Sequence, residues 1–219
     1  MMAVRTVVID RCLMRLIDNG LESVVNLAAG LDTRPYRMAL PKKLNWIEAD
    51  FEGITNYKSE RLRSEEPKCN LKRVAIDLAN MNQREEFFGT FKDLGKFAVL
   101  TEGLLLYLDP QDVDALSDKL VAQPNLQAWI TDITTQKAFR SMHQLSTQGK
   151  NDSSERVRFT FLPDEGIRYF ETRGWKVKEF HNFLEAGRTL NRDVPEELRK
   201  AVDEAAFDGT GIGVLTRKA

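Results

Sequence analysis

Apolar residues open the chain at helical spacing. Val4, Val7, Val8, Leu13, Leu16 and Ile17 fit one face, and Asn19-Gly20 ends the run, so a helix is predicted over residues 3–19. The pattern then shifts to short apolar runs separated by amphipathic stretches. "SVVNLA" reads as a buried strand, and "LNWIEAD", "KRVAIDL", "KFAVLTEG" and "LQAWITDIT" follow as four more. Helices are predicted between them at about 51–63, 81–91 and 110–122, the last opened by Asp109-Pro110. Asp32 or Thr33 can cap a helix after the first strand, with Pro35 in its first turn. Beyond the fifth strand the pattern predicts a helix over 163–173 ending at Gly174, a strand "WKVKEFHNF", a helix over 195–206 and a last strand "GIGVLTRK". Residues 136–160, rich in Ser, Gln, Asn and Arg, read as an irregular loop. Strands and helices alternate and the strands are mostly apolar. That pattern predicts an α/β fold around a largely parallel sheet covered on both faces.

The 219 residues are enough for one sizeable core, and 42% of them are hydrophobic. Lys+Arg number 32 against 33 Asp+Glu, a balance that argues against a dedicated nucleic-acid binder. No apolar run approaches the ~20 residues that span a bilayer. Arg5, Asp10, Arg11 and Arg15 interrupt the N-terminus, where a signal peptide would stay apolar. Cys12 and Cys69 are too few for a disulfide framework and read as reduced thiols. These features place the chain in the cytoplasm, away from nucleic acid and membrane.

Four residues stand where strands end. Gly30 ends the first strand, Asp50 the second, Asp77 the third and Glu102 the fourth, at separations of 20, 27 and 25 residues. In a parallel sheet such positions converge on one edge, where open α/β sheets bind their ligands. Singly, Gly30 could be a turn residue and each Asp a helix cap. Glu102 lies in the apolar run "FAVLTEGLLLYL", where a carboxylate needs a cation or several donors. A salt bridge would serve; a cationic ligand is the sharper reading.

An acidic residue after the second strand suits the ribose of NAD or of S-adenosylmethionine. The NAD fingerprint G-x-G-x-x-G is reduced here to Ala28, Gly30 and Thr33, and Asp32 would repel a pyrophosphate. S-adenosylmethionine has no phosphate and carries two positive groups, which an acidic edge favours.

The pieces "VRTVVID", "VVNLAAGLDTRPYR", "WIEAD", "VAIDL", "TEGLLLYLDPQDV" and "FLPDEGIRYFETRGWKV" resemble the leucine carboxyl methyltransferase family, with its bacterial polyketide O-methyltransferase relatives. The resemblance covers residues 4 to about 180. It implies a single class I (Rossmann-like) methyltransferase domain over residues 1–219, with a seven-stranded sheet whose last strand is antiparallel. It further implies S-adenosyl-L-methionine as cofactor and methyl transfer to oxygen. Under the resemblance Arg5 meets the methionine carboxylate and Gly30 lets the backbone pass close to the methionine. Asp50 takes the ribose hydroxyls, Asp77 and Leu78 flank the adenine, and Glu102 lies near the methionine end. Many relatives carry Gly where this chain has Ala28, and they carry a longer region ahead of the Arg-Thr pair.

A carboxylate acceptor needs no base, whereas a hydroxyl does. His143 is the imidazole candidate for a base, and Tyr107 for orienting a small-molecule acceptor; His181 reads as structural. The expectation is that a second subunit or the segment Thr135–Thr160 closes the site. No metal is expected. The rival readings are an NAD-type oxidoreductase and a non-catalytic cofactor-binding or interaction module.

Overall fold

The computed structural model describes residues 2–147, 158–192 and 204–218, with the side chains of 143–147 and 204 excepted. The first helix, α1, runs over Met2–Asp18. The chain then continues through β1 (Ser23–Leu27), α2 (Arg34–Arg37), β2 (Asn45–Asp50) and α3 (Glu52–Arg61). Next come β3 (Asn70–Ala75), α4 (Met81–Gly89), β4 (Phe97–Thr101), α5 (Pro110–Val121) and β5 (Leu126–Ile133). It ends with α6 (Gln136–Thr147), β6 (Trp175–Asn182), α7 (Phe183–Thr189) and β7 (Gly211–Arg217). The strands form one sheet in the order β3-β2-β1-β4-β5-β7-β6. β1 to β5 are parallel, while β7 runs antiparallel to both β5 and β6.

All five residues of β1, and all five of β4, are buried. Alternation sends neighbours to opposite faces. Val25 and Leu27 join a core with Ile47, Val99, Trp129 and the phenylalanines of α4. Val24 packs instead with Trp46, Ala98, Ile130 and the apolar stripe of α1. Two cores thus sandwich the sheet, which is why its central strands are apolar throughout rather than alternating.

Connections leave β1 toward β2 on one side and reach β4 on the other. This reversal opens a crevice beyond the C-terminal ends of β1 and β4. Among the described residues no helix is long and apolar enough to cross a membrane.

Some elements differ from the sequence reading. Residues 136–147 are helical, not irregular: Ala138, Phe139 and Met142 give α6 an apolar face despite its polar composition. A short helix, α7, follows β6 directly. Asn182 caps it by accepting from the Leu184 and Glu185 N–H groups. Gly166–Arg173 winds as a 3₁₀ helix, stopped by Gly174 at φ 84°. β1 ends at Leu27, three residues before Gly30, and β3 ends at Ala75, two before Asp77. The helix predicted over 195–206 falls mostly outside the described residues; Glu204–Phe207 is a 3₁₀ turn.

Candidate active site

The turn after β1 builds the centre of the crevice. Ala28 adopts φ 52° and Gly30 φ 48°, the left-handed region that disfavours a Cβ. Asp32 Oδ1 accepts from the Arg34 N–H and holds the start of α2, so Asp32 rather than Thr33 does the capping. Strain at Ala28 gives a direct expectation. Ala28→Gly should stabilise the fold by about 1 kcal/mol, which thermal melting would register as a rise of roughly 2–4 °C.

Asp50 closes this turn from β2. Its Oδ2 accepts from the Gly30 N–H at 2.6 Å, and its Oδ1 from the Phe51 N–H at 2.7 Å. A carboxylate has about four lone-pair positions, so each oxygen retains one for a ligand. Asp77 forms a local turn, Oδ1 accepting from the Ala79 N–H at 2.9 Å, while its own N–H donates to Gln83 Oε1. Nearby, Glu48 and Lys58 form a buried ion pair at 2.8 Å that anchors α3 to β2 just beyond Asp50.

Glu102 does not stand alone. Arg5 Nε donates to its Oε1 at 2.8 Å and Arg34 Nη1 to its Oε2 at 2.7 Å. The salt-bridge reading is therefore met inside the protein, and a cationic ligand is not required to balance this residue. Arg34, only 2% exposed, also reaches Asp32 Oδ2 at 2.9 Å and Asp10 Oδ1 at 2.6 Å. Burial alone would loosen its proton, but Asp32 and Glu102 reverse this and hold it above the ordinary range.

Arg5 turns its Nη1 to Asp132 Oδ2 at 2.9 Å, and Asp132 Oδ1 accepts from the Gly103 N–H at 2.7 Å. Gly103, at φ 68°, lets Arg5 lie close: a Cβ there would sit 3.2 Å from Nη1. Burial pushes Asp132 above the usual carboxylate range, opposed by Arg5 and the Gly103 N–H.

Asp10, Asn26, Arg34 and Asp132 were not singled out in the sequence. Arg34 and Asn26 lie inside the quoted stretch "VVNLAAGLDTRPYR", and Asp132 is a lone acid in the apolar strand "LQAWITDIT". That last signal is the one that picked out Glu102.

Two cavities meet at Ala28, which lines both. The first, about 350 Å³, is polar: Arg5, Asn26, Gly30, Asp32, Arg34 and Glu102 line it. The second, about 420 Å³, is largely apolar: Ile76, Leu78, Phe88, Leu104 and Leu108 line it, with Asp50 and Asp77 among them. All six positions named from the resemblance therefore border one two-lobed crevice. Arg5, Gly30 and Glu102 line the polar lobe, and Asp50, Asp77 and Leu78 the apolar lobe.

Tyr107, 51% exposed, lines the apolar lobe and packs at a tilt against Phe159, with 5.3 Å between ring centres. Phe159 also meets Phe139 of α6, and the Thr160 N–H donates to the Leu106 carbonyl. Both described ends of the segment Thr135–Thr160 thus pack beside this lobe; residues 148–157 and the His143 side chain lie outside the described residues.

The profile of the leucine carboxyl methyltransferase family matches residues 1–121, more than half of the chain. The chain belongs to that family. Membership agrees with the relatives. A protein of Mycolicibacterium gilvum, provisionally described as an S-adenosyl-L-methionine-dependent methyltransferase, is 37% identical over 210 residues, 88% of this chain and 67% of its own length. The chain spans about two thirds of the length of such curated relatives.

Solved structures share the fold at low identity. A duf574 family protein from Streptomyces avermitilis superposes with a TM-score of 0.64 at 14% identity, covering 100% of this chain and 84% of that one. Magnesium protoporphyrin IX methyltransferase from Synechocystis, solved with bound SAH, gives 0.60 at 13% identity, covering 99% and 84%. The family's seven-stranded sheet, with β7 reversed, is the one found here.

Proposed function

We propose that the chain is an S-adenosyl-L-methionine-dependent O-methyltransferase acting on the carboxylate of a small molecule. The observation that carries this reading is the two-lobed crevice joined at Ala28. Its apolar lobe, edged by Asp50 and Asp77, suits a nucleoside; its polar lobe suits an amino-acid group. Arg5 spends Nε and Nη1 on Glu102 and Asp132, which leaves donors of its fork for a carboxylate. Three guanidiniums, of Arg5, Arg34 and Arg37, face four carboxylates, of Asp10, Asp32, Glu102 and Asp132.

The oxidoreductase reading fits this geometry poorly. A pyrophosphate needs free N–H groups at the turn, yet the Gly30 N–H is already bonded to Asp50. Helix α2 spans only Arg34–Arg37, too short to offer a sustained dipole.

When bound, the cofactor would supply an electrophilic methyl group on a sulfonium, whose positive charge is lost when the methyl leaves the sulfur. The chain's own part is to hold and enclose. Asp50 and Asp77 orient the nucleoside, the Arg5–Glu102–Arg34 bridge fixes the polar lobe, and the leucines of the apolar lobe exclude water. Neither lobe is lined by a histidine, lysine or cysteine among the described residues. That lining supports an acceptor already ionised at neutral pH, with Tyr107 placed to orient it at the mouth.

We further infer that the described ends of the segment Thr135–Thr160, through Phe139 of α6 and Phe159, wall the acceptor side of the apolar lobe. Free, buried Cys12 and Cys69 support a reducing, cytoplasmic setting.

The test supplies S-adenosylmethionine with paired panels of small carboxylic acids and alcohols and follows S-adenosylhomocysteine release against pH. The expected result is turnover of carboxylic acids with a rate flat from about pH 6 to 9, since no base must lose a proton. Turnover of alcohols alone, rising through that range, would replace the carboxylate reading by a hydroxyl one.

A further inference from the structure

One cluster of donor atoms lies apart from both lobes, where α1 meets β6. Cys12 of α1 and Glu179 and His181 of β6 bring a sulfur, a carboxylate oxygen and a ring nitrogen within 4.8 Å of one another. Residues 179 and 181 share a face of their strand because side chains alternate. His181 Nε2 lies 3.7 Å from Cys12 Sγ and 3.3 Å from Glu179 Oε2. An ion bonded tetrahedrally at about 2.3 Å to sulfur and 2.0–2.1 Å to nitrogen and oxygen holds S and N roughly 3.6 Å apart, and N and O roughly 3.3 Å apart. Two of the three spacings already match.

We propose that Cys12, Glu179 and His181 form a binding site for a zinc-class divalent ion that clips α1 to β6. The donor set selects the metal. A thiolate and an imidazole suit borderline-soft ions, whereas Mg²⁺ and Ca²⁺ take oxygen. A surface cleft of about 240 Å³, lined by Cys12, Arg15, His181, Asn182 and Glu185, gives an entry path and room for a water as fourth ligand. Arg11 also lines the cleft, and Arg15 is the cation bonded to these donors: Nη2 donates to Cys12 Sγ at 3.4 Å and to Glu179 Oε2. Its side chain is 53% exposed and can withdraw into water. Once released, Glu179 can bring its oxygen to the roughly 3.6 Å from the sulfur that a shared ion requires.

Binding transfers the Cys12 thiol proton to water, and the ion takes up the thiolate, the unprotonated Nε2 and the carboxylate. The clip would also fix the helix that carries Arg5 and Asp10, and so the partners of Glu102 and Arg34. Cys12 and His181 stand 169 positions apart, which hides the pair from any reading of motif spacing.

The test strips the full chain with a chelator. It then titrates Zn²⁺ against a chromophoric competitor and uses Co²⁺ as a spectral probe. The expected result is one ion per chain, with a thiolate-to-cobalt charge-transfer band. Cys12→Ser should remove that band and weaken zinc binding at least tenfold. His181→Gln, at a one-third exposed position that keeps the fold, should weaken it similarly. Arg15→Met should strengthen it severalfold. Absence of stoichiometric zinc binding, a cobalt spectrum without the thiolate band, unchanged affinity in His181→Gln or weaker affinity in Arg15→Met would overturn the proposal.

Discussion

Arg34→Met is expected to destabilise the protein by about 3–5 kcal/mol, the usual cost of leaving buried charges without their partner. The Arg34 guanidinium is 2% exposed and meets Asp10, Asp32 and Glu102 at 2.6–2.9 Å. Methionine fills much of the same volume, so the loss is of charge and hydrogen bonds rather than of packing. Asp32 would then face Glu102 with no cation between them, and the turn that carries Ala28 and Gly30 would loosen. Arg37 provides the contrast. It also binds Asp10, but its side chain is 38% exposed. Arg37→Met should therefore cost less than about 1 kcal/mol. Urea denaturation of the two variants checks this, and equal effects would show that Arg34 is not the keystone of the network.

Asp50→Ala is expected to weaken S-adenosylmethionine binding by about 1–3 kcal/mol, or roughly 5- to 150-fold, the range for losing charge-assisted hydrogen bonds. The structure adds a second cost. Asp50 accepts from the Gly30 and Phe51 N–H groups, so removing it also frees the turn on which the ligand rests. Asp50→Asn separates the two effects. Its amide oxygen can still accept from Gly30, so the fold should be retained while one acceptor and the charge are lost from the ligand side. Calorimetric titration of both variants, with a melting curve for each, checks the expectation. Unchanged affinity in a folded Asp50→Ala would reduce the residue to a brace for the turn.

The sheet was legible because each central strand is a short apolar run, buried on both faces, between polar stretches. "SVVNLA" and "FAVLT" are too short for a buried helix and read as strands, which they are. Asp50 and Glu102 were legible because an acid at the end of such a run needs a reason. Arg34 was not. In "DTRPYR" it reads as a solvated side chain, and its burial depends on Asp10 from α1 and Glu102, which lie 24 and 68 positions away. Glu102 itself shows the limit of the argument: the carboxylate did need cations, but Arg5 and Arg34 supply them. Helix α6 was hidden by composition. Its Gln, Ser and Thr suggest a loop, while Ala138, Phe139 and Met142 at helical spacing carry the stronger signal. The metal-class cluster depends on side chains of α1 meeting side chains of β6 across 169 positions, a contact no local pattern encodes.

S-adenosylmethionine is proposed to lie across both lobes of the crevice beyond β1 and β4. The most direct measurement is a calorimetric titration of the full chain with S-adenosylmethionine and, separately, with NAD. One site per chain is expected for S-adenosylmethionine, weakened in Asp50→Ala, and no saturable heat with NAD. Saturable NAD binding without any response to S-adenosylmethionine would contradict it.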